Sequence, residues 1–301
     1  PINLNEVKQI EVIRGPASAV WGANAMTGVI NVITKTPREM QGTSVAMSLG
    51  TFDRNVEGRD SGAGSLFSIS ASHARAINDR WAFKVSAGAL TQDALPRPSG
   101  TIPNRFNTPY PPFENQGTRQ PKFDARVDYD HPDGRQRIVM AAGLAGTEGL
   151  IHTGIGPFDI QRGTVLGYGK VNYSRGAFKL NAFVNVLDGE GLNLLAVDTR
   201  GRPINFLFKN QTYDLEVGNV STIGTRHVIS YGGNFRRNQF DLSLASRDKE
   251  RNEGGAYVQD EWAMADNVKV IAGVRMDIAS FGDTGYANAV ASGERVALPR
   301  F

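Results

Sequence analysis

The chain has 301 residues, of which 40% are hydrophobic and 21% charged, with a formal net charge of +3. That length holds two ordinary domains or one large β-structure, and the scattered basic residues leave no footprint for nucleic acid. With no Cys, a disulfide framework, a thiolate metal site and a thiol nucleophile are excluded.

In chain order, Pro1 begins a segment without the basic, apolar and small-residue succession of a secretory signal. Ile10–Arg14 predicts a short β-branched strand. Gly15-Pro16 ends it, since Gly reaches φ > 0 and Pro suits the first turn of a helix. Ala17–Trp21 then predicts one or two helical turns with Gly22 as the stop, Asn24–Gly28 a turn, and Val29–Thr34 a second strand. Ala17–Thr34 carries no charge, but its two Asn and two Gly argue against a membrane-spanning helix. Strand, helix, turn and strand together are too small to bury themselves and need a partner. Arg14, at the end of an apolar strand in such a block, would need a counter-charge once buried.

Beyond about residue 40, period-2 alternation takes over. Trp81, Phe83, Val85 and Ala87 alternate with Lys84 and Ser86, and Phe123, Ala125, Val127 and Tyr129 with Asp124, Arg126 and Asp128. Leu180 to Val186 and Val268 to Ile278 repeat the pattern. Short polar turns are predicted near 77–80, 131–135, 174–177, 221–226 and 264–267, with longer irregular stretches at 93–118, 148–162, 189–209 and 240–253. About eleven strands of roughly ten residues, with short turns at one end and long loops at the other, match a transmembrane barrel. Trp81, Tyr129, Tyr168, Tyr173, Tyr231 and Trp262 lie near strand ends, which fits an interfacial girdle and equally the general preference of aromatics for strands. A propeller of blades repeating about every 45 residues lacks its Gly-His and Trp-Asp marks.

Catalytic signals are missing. The four His are far apart and none has ligand spacing; there is no P-loop, dinucleotide fingerprint or Gly-x-Ser-x-Gly elbow. Asp124, Asp128 and Asp130 fit a polar strand face better than a calcium loop. No enzyme, metal or cofactor is expected. Residues 96–121 hold seven Pro, which excludes them from regular sheet, and Arg105, Tyr110 and Phe113 there are candidate ligand contacts on a long loop.

The block IEVIRGPASAVWGANAMTGVINVITK, Ile10–Lys35, resembles the end of the plug domain of TonB-dependent outer-membrane receptors. It carries their I-E-x-I-R-G-P strand end, S-A-x-[YW]-G turn and G-V-I-N-[IV]-I-T-K strand in register. Gly167–Leu195 and Gly254–Asp277 are similar, more loosely, to barrel segments of these receptors. The resemblance implies an all-β antiparallel membrane barrel preceded by the end of a small α/β plug. Residues 1–38 would be the C-terminal part of the plug and 39–301 a partial barrel, about half of roughly 22 strands, so the chain reads as a piece of a longer receptor. Gly15, Pro16, Gly22, Gly28 and Asn31 carry the plug motif. Arg14 and Glu11 are expected at the plug–barrel contact, with Glu261 and Glu216 as candidate partners of Arg14.

Implied partners are a TonB-type energy-transducing protein, outer-membrane lipid and a nutrient ligand, and the implied location is the outer membrane of a Gram-negative bacterium. The implied activity is energy-coupled uptake of a scarce, large nutrient: an iron–siderophore, cobalamin or a glycan. The alternatives are a passive porin-like barrel, which should lack the plug block, and a soluble β-rich binding protein, whose apolar faces would pack on a second sheet.

Overall fold

The computed structural model describes residues 2–15, 27–56, 59–96, 99–102, 106–110, 117–153, 156–243, 250–265, 267–281 and 297–300. The predicted helical turn at 17–21 lies outside the described residues, as do Pro16, Gly22, Arg105 and Phe113.

A 3₁₀ turn, Leu4–Glu6, opens the described chain and leads into an antiparallel ribbon of β1 (Val7–Arg14) and β2 (Gly28–Thr34). Gly28 lies opposite Arg14 at φ +149°, and a Cβ there would sit 2.5 Å from the Ile13 carbonyl oxygen. The ribbon therefore closes only on glycine. Ile10 pairs with Val32 and Val12 with Ile30 across the ribbon, which presents all four apolar side chains exposed on one face.

One antiparallel sheet takes up most of the remaining chain. It comprises β3 (Gly42–Phe52), β6 (Gly64–Ala76), β7 (Trp81–Asp93), β8 (Gly117–Arg119), β9 (Lys122–Asp130), β10 (Gln136–Thr153) and β11 (Gly156–Arg175). It continues through β12 (Phe178–Val197), β13 (Pro203–Ile223), β14 (His227–Leu242), β15 (Glu250–Ala265), β16 (Val268–Phe281) and β17 (Ala297–Arg300). A separate two-residue ribbon, β4 (Asn55–Val56) with β5 (Arg59–Asp60), lies in the β3–β6 connection. Strands next to each other in sequence are neighbours in space, an up-and-down meander. β8 and β9 share one place in it, both between β7 and β10. Pro121 separates them: its carbonyl accepts from the Gly146 N–H at 2.8 Å, but it has no N–H to return.

The register sorts the side chains onto two faces. Directly opposed residues share a face, and one face carries Val45, Ala71, Ala87, Phe123, Leu144, Gly167 and Val186 in a row. A neighbouring row runs Phe83, Val127, Met140, Val171, Ala182, Leu215 and Phe235. Farther along the same face come Val258, Val274 and Met276. Many of these are exposed, Met47, Leu144, Leu215, Phe235 and Met276 among them, so the sheet bears a continuous apolar band with nothing packed on it among the described residues. A soluble protein does not leave so large a surface bare. The opposite face is polar: Ser72, Lys84, Ser86, Asp124, Asp128, Asn172, Asn181, Asp214 and Arg236.

The short turns are where alternation predicts them; the lengths are not. β10 to β13 run to 18, 20, 20 and 21 residues instead of about ten, absorbing most of 148–162 and 189–209, which the sequence reading treats as irregular loop. Twenty residues at about 3.3 Å each exceed the ~30 Å hydrocarbon core about twofold. The arms thus run on beyond a membrane crossing, and the distal parts of β11 and β13 bury a cluster of their own, Phe158, Ile160 and Phe206, with Phe208 against it. Asp188, Glu190 and Asn193 are accordingly strand residues. The Pro-rich stretch also pairs in places: Gly117–Arg119 joins the sheet, and Thr101 bridges to Pro109. Of the girdle aromatics, Trp81 lies 4.7 Å from Tyr129 and Trp262 stacks on His227 at 5.8 Å, both at the short-turn end. Tyr168 departs from this reading. It belongs to the polar face, where its hydroxyl donates to Asp124, because its register is set by Gly167 and Gly169 on the apolar side.

Candidate functional site: a charged seam between residues 2–39 and the sheet

Among the described residues, four of the best-buried polar groups, Glu6, Lys84, Asp128 and Asn3, lie where the first segment crosses the polar face of β6, β7 and β9. Glu6 is 0% exposed and Lys84 1%. The Lys84 ammonium pairs with the Glu6 carboxylate and stands 4.0 Å from Asp124 Oδ1. Asn3 Nδ2 donates to Glu6 Oε1 at 3.2 Å and to the Ala87 carbonyl at 3.4 Å. Gly88 makes that approach feasible, since a Cβ there would come within 2.8 Å of Asn3 Oδ1. Lys122 Nζ adds a bond to the Ile2 carbonyl at 3.2 Å. The 3₁₀ turn fixes the geometry, with the Glu6 N–H on the Asn3 carbonyl at 3.0 Å aiming the carboxylate at the wall.

Toward the short-turn end the seam continues as alternating charge. Arg126 Nε meets Asp128 Oδ1 at 2.6 Å, and Arg137 Nη2 meets Asp128 Oδ2 at 2.7 Å. Asp130 receives Arg137 at 3.6 Å and Arg38 at 3.4 Å. Arg38 also donates to the carbonyls of Asn78 (3.1 Å) and Asp79 (2.7 Å), tying the segment's exit to the β6–β7 turn. Glu39 pairs with Lys8 and accepts the Thr36 N–H at 2.7 Å, and these bonds draw its carboxyl down to a pKa of about 2. Buried ions need such partners, because desolvation of each costs several kcal/mol. An array of this kind positions a segment; it presents no nucleophile–base pair.

The residues singled out from sequence are distributed differently. Arg14 is exposed at the end of β1 and, among the described residues, has no ion pair. Glu11 is turned toward its own ribbon, accepting from Asn31 Nδ2 and Gln9 Nε2, both at 2.9 Å. Of Arg14's candidate partners, Glu261 is paired with Lys269, and Glu216 is exposed on the polar face of β13. Gly15 and Gly28 close the two ends of the turn at positive φ, +91° and +149°. Tyr110 is half-buried, its N–H on the Gly100 carbonyl at 3.1 Å. Its loop folds across to the β12–β13 turn, where Thr108 Oγ1 donates to the Gly201 carbonyl at 2.7 Å.

Glu6, Lys84 and Arg38, which do most of the joining, escape a sequence reading. A lysine on the polar side of an alternating strand reads as solvated. The available signal is what shares its face: Ser72, Ala74, Ser86 and Gly88 leave room for a second layer.

Comparison with known proteins places this arrangement. Residues 88–301 match the family described as TonB dependent receptor-like, beta-barrel. The vitamin B12 transporter BtuB of Vibrio cholerae is 44% identical over 52 residues, 17% of this chain and 8% of that protein. The ferric enterobactin receptor PirA of Pseudomonas aeruginosa is 28% identical over 164 residues, 50% of this chain and 21% of its own. Among solved structures, the siderophore receptor PirA from Pseudomonas aeruginosa superposes with a TM-score of 0.61 at 17% identity, covering 93% of this chain and 47% of that one. The FrpB iron transporter from Neisseria meningitidis gives 0.62 at 17%, covering 99% and 49%. The chain thus spans about half the length of these structures and less of the curated relatives. The match covers well over half of the present chain, which therefore belongs to the TonB-dependent receptor-like β-barrel family, a family of non-enzymatic transporters of the Gram-negative outer membrane.

Proposed function

We propose that residues 1–38 are the C-terminal part of a plug domain, that residues 39–301 form part of its barrel, and that the whole protein is an energy-coupled receptor. The nutrient class is a ferric siderophore or cobalamin, since similar proteins are described as an enterobactin receptor and a vitamin B12 transporter. The observation that carries this reading is the docking of Ile2, Asn3, Glu6 and Arg38 on the polar face of a sheet whose other face is one apolar band. A passive pore needs no segment fixed to its inner wall.

In this mechanism the long outer arms and the Tyr110 loop meet the nutrient, and a TonB-type protein pulls on the plug. The Glu6–Lys84 seam keeps the end of the plug on the wall while earlier parts move. The bare apolar face of the β1–β2 ribbon, Ile10, Val12, Ile30 and Val32, is where the rest of the plug packs, which brings Arg14 to glutamates of the barrel.

The test is uptake of labelled ferric siderophore and of labelled cobalamin by cells relying on the full-length receptor. Accumulation of one of them should stop when the proton gradient is dissipated, and gradient-independent entry would contradict the proposal. In the same cells Arg14→Ala should raise sensitivity to large antibiotics, whereas unchanged sensitivity would remove Arg14 from the contact.

A further inference from the structure

Followed toward the short turns, the apolar face stays apolar as far as the aromatic girdle on β10 to β12, through Met140 and Ile138, Val171 and Tyr173, and Ala182 and Leu180. On β13 to β15 polar groups interrupt it. Asn219 of β13 lies opposite Tyr231 of β14, and across β14 and β15 Tyr231 faces Val258, Ile229 faces Asp260 and His227 faces Trp262. Asn219 Nδ2 donates to the Tyr231 hydroxyl at 2.9 Å, and Ser221 Oγ lies 3.4 Å from it. His227 stacks on Trp262 with the ring planes 7° apart, and its Nδ1–H donates to Asp260 Oδ2 at 2.7 Å.

Asp260 is therefore a carboxylate on the side of its strand that the apolar band occupies, two residues, about 7 Å, inward of Trp262. A charge turned toward hydrocarbon is costly unless it is matched. His227 supplies a single N–H to it, and Asp260 Oδ1 has no hydrogen-bond partner among the described residues. No Lys or Arg shares this face along Leu215 to Ser221, His227 to Phe235, Ala256 to Met264 or Val270 to Met276, and Arg226 belongs to the turn before β14. The side chains of His227 and Asp260 stay open, at 40% and 36% exposure. What is missing is a cation bearing N–H groups, approaching from the bilayer. A primary ammonium brings positive charge and three donors, a quaternary ammonium brings charge without donors, and an anionic headgroup is repelled.

We propose that the Asp260–His227 pair holds the headgroup of one amine-bearing phospholipid of the leaflet at the short-turn end, its ammonium on the Asp260 carboxylate beside the Trp262 girdle position. The proposal rests on the reading that the apolar band meets lipid. The two fail differently: a protein that needs no detergent refutes the membrane assignment, whereas a detergent-embedded protein indifferent to the headgroup amine refutes only the site.

The experiment is native mass spectrometry of the full-length receptor in mild detergent, supplied with equal amounts of phosphatidylethanolamine, phosphatidylcholine and phosphatidylglycerol. One phosphatidylethanolamine should be retained in preference. Asp260→Asn, which keeps the shape and removes the charge, should lower its retention about tenfold and leave the other two lipids unchanged. Asp241→Asn, on the same face at the other end of β14, should leave all three unchanged, with gel mobility before and after heating reporting that each variant is folded. The unaltered receptor gives a second readout that needs no variant: retention should fall stepwise as the headgroup amine is methylated once, twice and three times. Millimolar ethanolamine alone should not displace the lipid. Equal retention of the three phospholipids, indifference to amine methylation, unchanged retention in folded Asp260→Asn, displacement by free ethanolamine, or a second receptor copy retained in place of lipid would each overturn the proposal.

Discussion

Lys84 and Glu6 show how little a side chain's chemistry says about its surroundings until a second layer is placed on it. Each would be costly to bury alone, and removing one partner of such a pair costs about 3–5 kcal/mol because the other is left charged and dry. Lys84→Met in the full-length receptor should therefore release the turn at Asn3 and Glu6 from the wall, seen as faster hydrogen exchange of the Glu6 amide with the barrel unchanged. The exchanged pair, Glu6→Lys with Lys84→Glu, should restore much of the protection; equal exchange in all three proteins would mean the pair does not hold the segment. Glu39 provides a pH test of the same junction. Its carboxyl falls from 4.5 to about 2 through bonds from Lys8 and Thr36. A depressed folded value means that the stabilisation is complete above 4.5 and is lost as pH falls toward 2. Protection of the Thr36 amide, corrected for intrinsic exchange, should hold from neutrality to about pH 4.5 and decline below it. Glu39→Gln should show the low-pH behaviour at every pH.

The strands differ in how far their pattern could be read. Where one face meets hydrocarbon and the other a polar interior, alternation is enforced, and β7, β9 and β16 are legible from Trp81, Phe123 and Val268 onward. Toward the long-arm end Gly189, Gly191 and a register shift between Leu192 and Val197 break the alternation, and the sequence of β12 past Asp188 reads as loop although it pairs with β13 as far as Val197. Gly-Pro and Gly-rich turn signals mark the ends of β1 and β2 but not what the segment's charges touch, so the two strands of the ribbon are legible while the seam is not. The face assignment has an energetic consequence. Val184→Arg, in the apolar band opposite Gly169 and Tyr213, should destabilise the folded barrel by about 2–4 kcal/mol. Asn185→Arg, one residue on and on the polar face, should be near neutral. Denaturant titration in lipid vesicles measures both, and equal effects would mean that the faces are misassigned.

At the scale of the molecule, the account joins three surfaces: a lipid-facing band, a polar inner wall and a docked segment that occupies part of that wall. The long arms and the loop fastened to Gly201 lie at the end opposite the short turns, and the apolar face of the ribbon, Ile10, Val12, Ile30 and Val32, is exposed. All of this depends on which side of the sheet meets lipid. The 301 residues contain no Cys, so single cysteines introduced into the full-length receptor can carry nitroxide labels in this part of the chain at chosen sites. Labels at Leu144 and Leu215 should collide freely with oxygen dissolved in the bilayer and be shielded from a water-soluble nickel chelate, while labels at Asn185 and Glu216 should show the reverse. The same accessibility at all four positions, or the two pairs interchanged, would contradict the assignment of the apolar face to lipid and the polar face to the plug.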